Sequence, residues 1–182
     1  MERMGKQGGL VLGAAALLAG CAGGQTGGVP IACPTPAILA DAADLTRHRP
    51  GPVRDLTTLE FDARLAGLRG GCRAGRRDRA VEMDLSPSFT VERGAAAQGR
   101  VVDLPWTVAV VDDRTEEPIG RPQRFVERVV FGPNQIRAEI EGRRVTITLP
   151  ATGERRVQDY RVLVFFQLTE EELALNRRRG PR

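Results

Sequence analysis

Val81 to Glu92 (VEMDLSPSFTVE) alternate without a break. Val81, Met83, Leu85, Pro87, Phe89 and Val91 fall on one side, and Glu82, Asp84, Ser86, Ser88, Thr90 and Glu92 on the other. A period of two sends successive side chains to opposite faces of an extended chain, so the segment is predicted to be a strand with one buried and one wet face. The period recurs at Leu59, Phe61, Ala63 and Leu65, and at Val102, Leu104, Trp106, Val108 and Val110. It recurs again at Ile136, Ala138 and Ile140, and at Val145, Ile147 and Leu149. Phe125–Phe131 is apolar without clear alternation. Turn signals separate these runs: RGAAAQGR, DDRTEEPIG, FGPNQ, EGRR and PATGE. Pro87 argues for an edge position or a bulge, and Pro105 stands among the outward residues of its run.

With Ala37–Thr46 and a final strand, the count is seven or eight short strands. Alternating strands parted by regular turns predict an all-β, antiparallel sandwich of immunoglobulin-like or fibronectin-like type; a small barrel is the alternative. The final strand, Tyr160–Leu168, is apolar on both faces, which predicts a central place in its sheet. Thr169 and Glu172 then form a capping box, with acids at the positive end of the helix dipole, so a short C-terminal helix follows. Leu173 and Leu175 are expected to fold back over Leu163 and Phe165. Leu163, Phe165 and Leu173 are accordingly the candidate partner face.

The chain opens with Arg3 and Lys6 and an apolar run, Leu10–Ala19. That run is about half of what a helix needs to span hydrocarbon, so it is predicted to be a signal-peptide core. Leu18-Ala19-Gly20-Cys21 resembles the bacterial lipobox, in which the cysteine sulfur is lipidated and the residue becomes the new N-terminus. The resemblance implies a signal peptide over 1–20 and a lipid anchor on Cys21. A Gly-, Thr- and Pro-rich tether, 21–36, then leads to a β domain, 37–176, and a basic tail, 177–182. Ala22 stands where an inner-membrane retention signal would place Asp, so outer-membrane location is expected, at the periplasmic face. The segment before Cys33 has a flexible reach of roughly 18 Å, which holds the domain close to the membrane.

Processing removes Glu2, Arg3 and Lys6 from 23 acidic and 27 basic residues, leaving 22 and 25. Lys6 is the one lysine, so the mature cations are all arginine, interspersed with acids along the chain. Cys33 and Cys72 remain after lipidation, and an exported pair is expected to form a structural disulfide. The midpoint between them falls in the turn RHRPGP; antiparallel pairing of Ala37–Thr46 with Thr58–Leu68 would bring them together at the ribbon's open end.

Catalytic chemistry is scarce. His48 is the one histidine, and Ser86 and Ser88 are the two serines, both within a regular strand and without a GxSxG elbow. One histidine and two scattered cysteines cannot build a zinc site. No phosphate-binding or dinucleotide glycine motif follows a strand. Asp41 with Asp44, and Asp112 with Asp113, are the obvious pairs for a carboxylate hydrolase, and each is more simply a strand-end or turn element. The sequence therefore predicts no enzyme, cofactor or metal, and nucleic acid is a poor partner because no aromatics interleave with the arginines.

The ending DYRVLVFFQLTEEELALNRRR, with ILADAADLTRHRPG near the mature start, resembles a group of small bacterial lipoproteins of tether-plus-β-domain form. The resemblance implies one domain and brings no activity or site. Two functions are expected to compete. The first is docking of another envelope protein through the sheet and helix. The second is binding of anionic glycan or lipid, such as lipopolysaccharide or peptidoglycan, led by Arg177, Arg178 and Arg179.

Overall fold

The computed structural model describes residues 32–75, 80–151 and 156–180. The signal segment, the lipobox residues Leu18, Ala19 and Gly20, and Cys21 lie outside the described residues. The elements run β1 (Pro36–Ile38), a 3-10 turn (Ala40–Ala42), β2 (Asp44–His48), β3 (Leu59–Ala74), β4 (Ala80–Arg93) and β5 (Val101–Asp112). They continue with β6 (Gln123–Val130), β7 (Arg137–Glu141), β8 (Val145–Pro150), β9 (Tyr160–Phe166) and α1 (Glu170–Arg179). A four-stranded sheet has the order β1-β9-β5-β6. A five-stranded sheet has the order β2-β3-β4, with β7 and β8 both paired to the far side of β4. The expected all-β sandwich is what forms.

The core lies between the sheets, where the alternation placed it. Val81, Met83, Leu85, Phe89 and Val91 of β4 face Leu104, Trp106 and Val108 of β5 and Val162, Val164 and Phe166 of β9, all buried. Phe89 touches both Trp106 and Phe166, with ring centroids 6.1 and 5.7 Å apart. Each of these rings removes a large apolar area from water, and together they join the two layers.

Ala37–Thr46 is not one strand. β1 pairs in parallel with β9, Ala37 opposite Leu163. The amide of Ala42 then donates to the Leu39 carbonyl at 2.9 Å, and the chain crosses to the other sheet as β2. One strand cannot serve two layers, so the segment breaks where it changes sheet. The Cys33–Cys72 disulfide does form, with Cα atoms 5.6 Å apart. It joins the segment before β1 to the distal end of β3, and not two strands of one ribbon.

Both prolines are accommodated by where partner strands stop. β4 is central, yet Pro87 falls between the stretch paired with β8, which ends at Leu85, and that paired with β7, which begins at Ser88. Its carbonyl accepts from Gly142 at 2.7 Å, so its missing N–H faces the β7–β8 turn and leaves no ladder position empty. A register shift lies just beyond it, between Leu65 and Gly67 of β3, opposite Phe89 and Ser88. Pro105 lies just beyond the end of β9, and its carbonyl accepts from Gln167 at 3.0 Å.

α1 carries the expected capping box: Glu172 donates its amide to Thr169 Oγ1, and its carboxylate accepts from the Thr169 amide at 2.8 Å. The buried Asn176 side chain donates to the carbonyls of Asp41 (2.9 Å) and Asp44 (2.8 Å), Glu172 faces Arg47, and Arg54 pairs with Glu171. These polar contacts run to the 3-10 turn, to β2 and to the loop after it. Ala43 gives its carbonyl to Leu65 of β3, so alternation turns that of Asp44 to the open side, where Asn176 takes it. The helix covers the edge of β2 through polar groups, which explains why its apolar pattern is weak.

Candidate interaction face

The outer face of the four-stranded sheet follows from register. Val101 of β5 lies opposite Val130 of β6, Asp103 opposite Arg128, Pro105 opposite Val126, and Thr107 opposite Arg124. On the other side of β5, Thr107 neighbours Phe165 and Ala109 neighbours Leu163, beyond which comes Ala37 of β1. Leu163 and Phe165 thus belong to a longer apolar band that reaches Pro105, Val126, Val130 and Val101. Both are half-buried, whereas Val101, Val126 and Val130 are 55 %, 48 % and 66 % exposed. Beneath the large side chains, Thr107 and Ala109 are buried.

Asp103 and Arg128 sit inside this band. The guanidinium donates to both carboxylate oxygens, at 2.8 and 3.1 Å. These bonds hold the Asp103 carboxyl below its ordinary range and raise the arginine further. A bidentate Arg–carboxylate pair fixes both side chains in one geometry, here with Val101, Val126 and Val130 exposed beside it.

The band was only half legible. Leu163 and Phe165 stood out because β9 is apolar on both faces. Val126 and Val130 did not, although their signal was present. Phe125, Val129 and Phe131 are the inward residues of that segment, and apolar residues on the outward side erase the alternation.

The expected basic site is not assembled as such. Arg177 pairs with Asp41 at 3.0 Å and Arg179 donates to Thr46 Oγ1 at 3.0 Å, while Arg178 is exposed. Two of the three arginines hold the end of α1 against the fold.

The acidic pairs are structural. Asp44 is buried against Arg64 at 3.0 Å, and Asp41 is engaged by α1. Asp112 accepts the amides of Arg114 and Thr115, shaping the turn after β5, and Asp113 faces Arg161 at 3.5 Å. His48 Nδ1 lies 3.2 Å from Thr58 Oγ1, in the turn that follows β2.

One pair had escaped the sequence: Asp62 and Glu92 lie directly opposite on β3 and β4. They line an open depression of about 600 Å³ with Arg64, Thr90 and Arg137. Asp62 accepts from the Thr46 hydroxyl at 2.8 Å and Glu92 pairs with Arg137 at 3.3 Å, so each carboxylate has a partner of its own. Among the described residues no three His, Cys, Asp or Glu side chains are placed to hold a metal, and no helix is long and apolar enough to cross a membrane.

No family model matches this chain, and no curated protein or solved structure does either.

Proposed function

We propose that this chain is a lipid-anchored envelope protein that works without catalysis, docking another envelope protein through the outer face of its four-stranded sheet. The observation that carries the reading is the set of apolar residues Leu163, Phe165, Pro105, Val126, Val130 and Val101 gathered on one sheet face, crossed by the Asp103–Arg128 pair. Valines scattered singly over a surface need no explanation, whereas apolar residues gathered on one sheet face mark an interaction site. The anchor rests on the lipobox-like Leu18-Ala19-Gly20-Cys21 behind a signal-peptide core of the expected length. Lipidation would keep the domain at a membrane surface, where an extended partner can meet it in two dimensions.

The test uses the tagged full-length chain in cells, crosslinked and recovered from the membrane fraction for mass spectrometry. A dominant protein adduct, lost in Leu163→Asp and Phe165→Asp, is the expected result. Lipopolysaccharide or peptidoglycan fragments without a protein partner would overturn the reading in favour of binding through the arginines. Cys21→Ser should abolish membrane retention; an unchanged membrane fraction would refute the anchor.

A further inference from the structure

A sheet edge presents unpaired N–H and C=O groups to any extended chain, and folded proteins guard such edges in recognisable ways. Three edges of this sandwich are guarded. The edge of β2 is covered by α1, through Asn176 on the Asp44 carbonyl. β1 is only three residues long, Pro36–Ile38, and begins with proline. β7 and β8 have five and six residues and are interrupted between Glu141 and Val145.

β6 is different. It is an uninterrupted eight-residue strand, Gln123–Val130, paired on one side with β5. The Phe131 amide donates to Arg100 across the ladder at 2.8 Å. Alternation from that bond directs Phe125, Glu127 and Val129 toward β5. The backbone groups of Arg124, Val126, Arg128 and Val130 therefore face the open side. One interaction confirms the direction: Arg143, in the β7–β8 turn, donates to the Val126 carbonyl at 2.8 Å. Its guanidinium also binds Glu127 at 2.7 Å.

The same strand carries the exposed half of the apolar band. An added strand would lie beside Val126 and Val130, with Arg124 between it and β5. Arg124 has no carboxylate within ion-pair distance among the described residues, unlike Arg128. The open edge and the charge left on it point to one occupant.

We propose that β6 accepts an extended segment of a partner protein as a further strand, and that this segment places an acidic residue opposite Arg124 and apolar residues opposite Val126 and Val130. The inference rests on the docking reading above and specifies how that docking is made. Backbone bonds would supply affinity and the outward side chains specificity, as in strand addition generally. Arg143 guards the edge in the free protein, and an incoming strand takes the Val126 carbonyl from it.

Amide hydrogen exchange on the full-length, disulfide-bonded protein tests the proposal. The probe is a synthetic peptide of about eight residues, threonine at every second position and glutamate and valine alternating between. Slowed exchange at Arg124, Val126, Arg128 and Val130, with no change at Phe125, Glu127 and Val129, is the expected result. Val126→Pro removes an open-side donor without touching the β5 ladder, so it should fold and bind about tenfold more weakly. The peptide methylated on alternate amide nitrogens should fail to bind, and Arg143→Ala should bind more tightly. Unprotected open-side amides at saturating peptide, or equal binding by the methylated peptide and the proline variant, would overturn strand addition. Adducts from Phe165 in cells without β6 protection would sink strand addition and leave the docking reading standing; peptide capture by β6 without any adduct would do the reverse.

Discussion

The two sheets finish their outer faces in opposite ways. On the five-stranded sheet the charges form a ladder. Arg73 bridges Glu82 and Asp84, Thr146 donates to Asp84 at 2.7 Å, Arg69 faces Glu141, and Arg137 faces Glu92. On the four-stranded sheet the Asp103–Arg128 pair stands among Val101, Pro105, Val126 and Val130. The inner faces are alike, because each must bury its apolar set against the other. The difference outside teaches that the ladder is complete in water, while the valine band gains only when something covers it.

The largest effect should come from a change that ignores this difference. Trp106 is fully buried, with Phe125 at 4.6 Å and Phe89 across the core. Trp106→Ala should destabilise the domain by about 3–5 kcal/mol in chemical denaturation, and both outer faces should be lost together. Removing the disulfide by Cys33→Ser with Cys72→Ser comes next. The bridge spans a sequence separation of 39, which the chain-entropy model values at about 4 kcal/mol. A midpoint unchanged by the double substitution, or by reduction, would show the bridge to be dispensable.

Asn176→Ala should cost about 1–3 kcal/mol, because the carbonyls of Asp41 in the 3-10 turn and Asp44 in β2 lose their donor. Hydrogen exchange should then rise at the edge of β2 and stay as before at β6, which belongs to the other sheet. The contrast between faces is sharpest in a matched pair of surface changes. Val126→Asp and Thr148→Asp, one on each sheet, should both alter stability by less than about 0.5 kcal/mol. Only the first should abolish partner capture.

The smallest effect is electrostatic. Arg128 holds the folded Asp103 carboxyl below its ordinary range, as hydrogen bonding from Thr146 and then the charge of Arg73 do for Asp84. A depressed carboxylate adds stability above its unfolded pKa, and that contribution fades as pH falls through the folded value, below about 4. NMR titration should show both carboxyls protonating later than a free aspartate as acid is added. Asp103→Asn should remove this dependence on the valine face and leave it at Asp84.

The strands were legible because one buried face imposes a period of two, and β4 shows it residue by residue. The break at Leu39–Ala43 was not, since Ala-rich sequence suits either a strand or a 3-10 turn and the decision comes from the need to change sheets. The place of β9 between β1 and β5 depends on contacts far apart in sequence. The polar hold on α1 was not legible either, since Asn176 and Glu172 meet carbonyls and a guanidinium more than a hundred residues away in sequence. The apolar band proposed for docking was visible only as a defect: two segments, Phe125–Phe131 and Tyr160–Leu168, failed to alternate. In each, the failure marked an outward face that is apolar.

Site-specific photo-crosslinking in cells tests the central claim most directly, with the reactive residue at Val126 or Phe165 on one sheet and at Thr148 on the other. A discrete protein adduct from Val126 and Phe165, and none from Thr148, is the predicted result. An adduct from Thr148 alone, or none from either face, would contradict the assignment of the valine band as the docking surface.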